Sequence, residues 1–229
     1  MNSRWLLLGI LLLAFVLRLG VALSSDPLAK YRNSGGDELW YLANGVGILT
    51  GAEFTEAYGM RLAPSRIPTA PLYLVFVGVA QALFPRAAAI IAIWVVQSAA
   101  GALICFFAYD LTKRLTNQPG AGFVAAAALA ISPAFVLEAQ SIATESLYMF
   151  FITAGLWGYG RFLAELQRGS WRGAVSVGLV FGYATLTRAV SLLFPIGLAG
   201  LLLLAYPAGE RRRALRYAML LLRAYALTA

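Results

Sequence analysis

Asp37 and Glu38 stand side by side in Gly35-Gly36-Asp37-Glu38-Leu39-Trp40-Tyr41-Leu42-Ala43-Asn44-Gly45, between segments apolar enough to have dispensed with charge. A carboxylate in such surroundings is a candidate general base. From Asp37 onward Leu39, Leu42, Val46 and Leu49 recur at steps of three and four. Asp37, Tyr41 and Asn44 fall on another face, the pattern of a short amphipathic helix at a membrane surface. Neighbouring helical positions do not face each other, so both acids cannot aim at one atom. Asp37, which shares a face with Tyr41 and Asn44, is the candidate catalytic group and Glu38 the supporting one. The plainer alternative is a capping box of Ser34 and Asp37 satisfying free backbone donors. Further along, Glu138 and the Glu145 of Ala143-Thr144-Glu145-Ser146 supply acids from a second loop. Arg61, Arg66 and Arg188 supply cations. Taken singly, Glu145 and Arg188 are also explained as partners of a helix dipole, and Arg66 as a headgroup anchor. Together, carboxylates from two loops and arginines at one depth suit a phosphate-bearing substrate.

Composition restricts what else the chain can be. Of its 229 residues 61% are hydrophobic and 12% charged, against roughly 25% charged in a soluble domain. The net charge of +8 does not point to nucleic acid, because the basic residues sit between apolar runs as the positive-inside rule requires. Cys105 is the single cysteine and histidine is absent. No intrachain disulfide, His-based triad or His-containing zinc site can be built. The chemistry is left to Asp, Glu, Tyr, Lys and Arg. No cofactor is expected, although an acidic pair could hold a divalent cation through oxygen ligands.

The elements that must position these groups are membrane helices. Trp5 to Ser24 is long enough to span ~30 Å of hydrocarbon, with Arg4 at its inner end and Arg18 near its outer end, where a long side chain can snorkel. The charged stretch 25–67 reads as an external loop, and the short run Pro68 to Phe84 as a second surface helix. If that run stays outside, Ala87 to Leu111 runs inward, Ala121 to Phe135 outward, Ser146 to Leu163 inward, Val175 to Leu186 outward and Leu192 to Tyr206 inward. Ten of the 18 basic residues are then cytoplasmic: Arg4, Lys113, Arg114, Arg161, Arg168, Arg172, Arg211, Arg212, Arg213 and Arg216. If it crosses, nine of these ten move outside, so the first arrangement is preferred. The expectation is an all-α polytopic membrane protein: about six transmembrane helices and two outer-surface amphipathic helices. It forms a single membrane domain over 1–229, with an external loop at 25–86 and a helical bundle at 87–229. Leu215 to Ala229 starts a seventh apolar segment that the chain leaves incomplete.

Arg18 at the end of the first helix, Asp37-Glu38 followed by Tyr41 and Ala43, and Arg66 ahead of Pro68 and Pro71 form an ordered series. Ser132-Pro133, Thr144-Glu145 and Gly182 through Thr187-Arg188 continue it. In this order the chain resembles the GT-C membrane glycosyltransferases, particularly the bacterial relatives of the protein O-mannosyltransferases and of the lipid A aminoarabinose transferases. The resemblance implies a polyprenyl-phosphate-linked sugar as donor and inverting transfer on the outer face. The residue matching Asp37 is the base, and Glu145 matches a second acidic position where many relatives carry Asp. It covers only the N-terminal half of the usual enzyme.

Two functions follow as expectations. One is a glycosyltransferase of the inner membrane, multi-pass, N-terminus cytoplasmic, its active face periplasmic or extracellular. Asp37, Glu38 and Glu145 are its catalytic set, and Tyr41, Arg61, Arg66 and Arg188 its substrate contacts. The alternative is a non-catalytic GT-C-like subunit of a larger membrane complex. Membrane lipid and a lipid-linked sugar are the expected partners in the first case, other membrane subunits in the second, and nucleic acid in neither. A transporter fits less well, because the acids lie in outer loops and not near the bilayer midplane.

Overall fold

Long apolar segments in lipid must satisfy every backbone donor and acceptor within themselves, and the helix does so. The computed structural model describes residues 3–29, 36–50, 70–164 and 171–229, and these contain helices and no strand. In chain order the helices are α1 (Ser3–Leu23), α2 (Gly36–Thr50), α3 (Pro71–Leu83), α4 (Arg86–Thr116), α5 (Pro119–Ile131), α6 (Pro133–Glu138), α7 (Glu145–Ala164), α8 (Trp171–Thr187), α9 (Phe194–Ala205) and α10 (Arg211–Ala226). Proline opens several of them, where its missing N–H costs nothing: α3, α5, α6 and α9 each carry one in their first two positions. Among the described residues α1 and α4 are each long and apolar enough to cross a membrane, while α3 and α5 are shorter apolar helices. Ser34, Arg61 and Arg66 lie outside the described residues.

The chain divides into two compact units, Met1–Leu147 and Tyr148–Ala229. In the first, α1 packs on α4 and α5, burying Ala14, Cys105, Tyr109, Ala126 and Ala130. The turn from α4 to α5 uses Asn117 in the left-handed region, φ 53°, which asparagine tolerates better than most residues. Where one helix was expected from Ala121 to Phe135, α5 ends at Ile131 and α6 starts at Pro133. Pro133 disfavours helical geometry at Ser132, which is extended with ψ 120°.

That break leaves the last carbonyls of α5 without helical donors, and Arg18 fills the vacancy. Its Nη1 donates to Ala130 O at 3.2 Å and to Ala14 O at 3.0 Å, and its Nη2 to Leu129 O at 2.9 Å. A cation is favoured at this negative end of a helix. Arg18 is 1% exposed, so the expectation that it snorkels to the interface is corrected: three carbonyls hold it inside. Gly101 makes the room, since a Cβ there would stand 2.5 Å from Arg18 Nε.

The pairing of α2 with α3 is set by a close backbone approach. A Cβ on Gly78 would collide with the carbonyl of Gly45, and one on Gly45 would stand 2.9 Å from Val77 Cγ1. Gln81 Nε2 adds a hydrogen bond to Leu42 O at 2.7 Å. This contact changes which face of α2 is covered. Leu39 and Leu42 are buried as expected, but Tyr41 and Asn44 are buried with them and Val46 and Leu49 are exposed. The expected polar face of Asp37, Tyr41 and Asn44 is thereby corrected: only Asp37 of the three is exposed.

In the second unit α8 packs on α10 and α9 on α10, around a core that includes Phe162, Val177, Phe181, Leu202, Tyr217 and Leu221. Tyr159 Oη ties α7 to α9 by donating to Leu198 O at 2.8 Å. The last helix differs from the apolar run expected from Leu215. It begins at Arg211 and is amphipathic, burying Ala214, Tyr217, Ala218, Leu221, Ala224 and Tyr225. Arg211, Arg212, Arg216 and Arg223 stay exposed.

Candidate active site

The segment between α6 and α7 carries no regular backbone pairing, so its polar groups need partners from elsewhere. α4 provides most of them. Gln97 Nε2 donates to Ala139 O at 3.1 Å and to Ser141 O at 2.8 Å, and Trp94 Nε1 donates to Gln140 O at 2.8 Å. Ser25 Oγ reaches the side chain of Gln140 at 3.1 Å. From the other side Glu38 closes the clamp: its Oε1 accepts from Ser141 Oγ at 3.0 Å and from Ile142 N at 2.9 Å. The two acidic loops singled out in the sequence are therefore joined directly, through Glu38.

Tyr73 of α3 lies at the centre. It is fully buried, its Oη donates to Gln97 Oε1 at 2.9 Å, and the Tyr41 ring meets it edge-on with centroids 4.8 Å apart. Burial pushes its phenol well above the ordinary tyrosine range. Tyr41, Glu38, Glu145 and Glu138 add to the shift in that order, all in the same direction. The phenol therefore remains a neutral donor. The carboxylates that add to the shift come from α2, the end of α6 and the start of α7.

Each expected site residue has a definite place. Asp37 is exposed in the first turn of α2, while Glu38 is half-buried and occupied as described. Glu145 is half-buried in the first turn of α7, with Thr144 Oγ1 donating to its Oε2 at 3.3 Å. Tyr41 is buried, its ring against that of Tyr73. Arg188 belongs to the second unit. It is exposed, ends α8 with its N–H bonded to Ala184 O at 2.8 Å, and its carbonyl accepts from Ser191 Oγ at 3.2 Å.

Among the described residues no group of three or more Asp, Glu, Cys or His is arranged to hold a metal ion. Of the acidic pair, Glu38 Oε1 is engaged by two protein donors.

Sequence reasoning missed Tyr73, Trp94 and Gln97. Gln97 had a signal, since an amide in the middle of an apolar helix is costly without partners and so points to a polar network. Trp94 and Tyr73 had none, because both look like ordinary apolar core.

No curated protein and no solved structure matches the chain. The family model of the dolichyl-phosphate-mannose-protein mannosyltransferases matches residues 68–229. That range holds Tyr73, Gln97, Glu138, Glu145 and Arg188, and begins after Asp37 and Glu38. A match over more than half of the sequence, on a chain whose described residues form helices and no strand, two of them apolar and long enough to cross a membrane, settles the assignment: the chain belongs to the dolichyl-phosphate-mannose-protein mannosyltransferase family, membrane glycosyltransferases of the GT-C type.

Proposed function

We propose that the protein transfers a sugar from a polyprenyl-phosphate carrier to an acceptor hydroxyl on the outer face of a bacterial inner membrane. The supporting observation is the clamp through Glu38. It joins α2 to the 138–146 segment, so that Asp37 and Glu145 are carried on elements fastened to each other. Asp37, exposed at the start of α2, accepts the proton of the acceptor hydroxyl as that oxygen attacks the anomeric carbon. The carbon–oxygen bond to the carrier breaks with inversion, and the bonding pair leaves with the phosphate. Glu38 positions α2, and Glu145 supports the acceptor side. Planar, permanently charged donors suit a departing phosphate, and Arg61, Arg66 and Arg188 are the candidates that the sequence offers for that role. The distribution of basic residues supports six crossings, a cytoplasmic N-terminus and α3 on the outer surface. At 13 residues α3 is about 20 Å long, short of the ~30 Å of hydrocarbon. The test is transfer from a defined polyprenyl-phosphate sugar by the whole protein, as the cell makes it, reconstituted in liposomes. Turnover supports the proposal. A folded, inserted protein with no turnover on any lipid-linked sugar favours the non-catalytic subunit.

A further inference from the structure

The second unit contains a cleft of about 320 Å³ between α7 and α8. Its walls are apolar, among them Trp157, Phe162, Val177 and Val180, and Arg161 and Arg172 also line it. Among the described residues no carboxylate lines it. The Arg161 guanidinium lies 5.0 Å from the Trp157 ring centroid, and that of Arg172 lies 5.8 Å from Trp171. Both arginines are exposed. Arg161 belongs to the last turn of α7 and Arg172 to the first turn of α8, so the cations stand at the helix ends.

We propose that this cleft binds one acyl chain of an anionic glycerophospholipid, with the lipid phosphate held by Arg161 and Arg172. The apolar walls suit a hydrocarbon chain and give a free phosphate nothing to gain from entering. The volume lies at the lower end for ligand pockets, enough for one chain and not for a whole lipid. Two arginines at one cleft favour a net negative headgroup, and basic pockets between membrane helices take anionic lipids for this reason. The start of α8 adds backbone N–H groups that favour an anion. Trp157 and Trp171 suit the headgroup level, where indole rings gather. The site is independent of the sugar-transfer reading, which uses the carboxylates of the first unit.

The test is native mass spectrometry of the whole purified protein in detergent, titrated with phosphatidylglycerol, with phosphatidylcholine of the same chains, and with inorganic phosphate. Phosphatidylglycerol should bind, with the other two far weaker. Each Arg→Gln change should weaken it about fivefold, and Arg161→Gln with Arg172→Gln together about 25-fold. Gly158→Leu should block the cleft: a Cβ there stands 3.6 Å from Val177 Cγ2, ordinary contact, so the backbone tolerates it. Ser176→Leu, at an exposed lining position, blocks it independently should the first variant fold poorly. Equal binding of the two lipids, or undiminished binding in the double arginine variant, would overturn the proposal. So would a photo-crosslinker at position 176 that captures protein and no lipid in native membranes.

Discussion

Replacing Gln97 by Leu should loosen the clamp that holds the 138–146 segment. Gln97 is 1% exposed and makes three hydrogen bonds, one from Tyr73 Oη and two to the carbonyls of Ala139 and Ser141. Leu fills nearly the same volume, so no large cavity forms and the loss is mainly polar. Hydrogen bonds between membrane helices contribute on average ~0.6 kcal/mol each, and net values in soluble proteins cluster near 1 kcal/mol. Three bonds therefore amount to about 2–3 kcal/mol. Tyr73→Phe removes one of them and should cost about 1 kcal/mol. Because the two changes share that bond, the double variant should cost about 1 kcal/mol less than the sum of the singles. Unfolding by SDS in mixed micelles, with the four proteins compared at equal slope, measures all three quantities. A Gln97→Leu protein within about 0.5 kcal/mol of wild type, or strictly additive effects, would show that the polar contacts do not hold the segment.

Arg18→Met should cost about 2–4 kcal/mol in the same assay. It removes charge-assisted bonds to three carbonyls, offset in part by the desolvation the guanidinium no longer suffers. Stability equal to wild type would mean that the buried cation contributes nothing net. Glu38→Gln should keep transfer activity within about tenfold of wild type, since an amide oxygen can still accept from Ser141 and Ile142. Glu38→Ala should lose much more, through a displaced α2, and equal kinetics for the two variants would separate Glu38 from the positioning of the site. Cysteines placed at 113 and 118 should react only with reagents that enter the cytoplasm. Labelling from the periplasmic side of sealed cells would reject the topology.

Much of the helical framework was legible because apolar runs and prolines are local signals. The starts of α4 at Arg86 and of α7 at Glu145 fall within a residue of their expected places. The break at Ser132-Pro133 was present in the sequence as a proline, but hydropathy alone carried the expected helix through it. Arg18 shows where local reading stops: its position in a long helix allows snorkelling or burial, and the choice depends on carbonyls more than 110 residues away. The covered face of α2 was misjudged because tyrosine and asparagine score as polar, whereas the Gly45–Gly78 approach turns their side toward α3. Of the candidate site, the two acid-bearing stretches around Asp37-Glu38 and Glu138–Glu145 were readable as sequence features. Glu38 as the joint, and Tyr73 and Gln97 as its support, were not, because each contact links residues distant in sequence.

The central claim is that Asp37 is the proton acceptor. Asn keeps the size of Asp and caps a helix equally well, so Asp37→Asn preserves a structural role while removing the base. The decisive measurement is the initial rate of sugar transfer from a polyprenyl-phosphate donor by matched amounts of folded, membrane-inserted wild-type and Asp37→Asn protein. The account predicts a fall of about 10² to 10⁴-fold with unchanged thermal stability. Equal rates in the two proteins would contradict it and leave Asp37 as a helix cap.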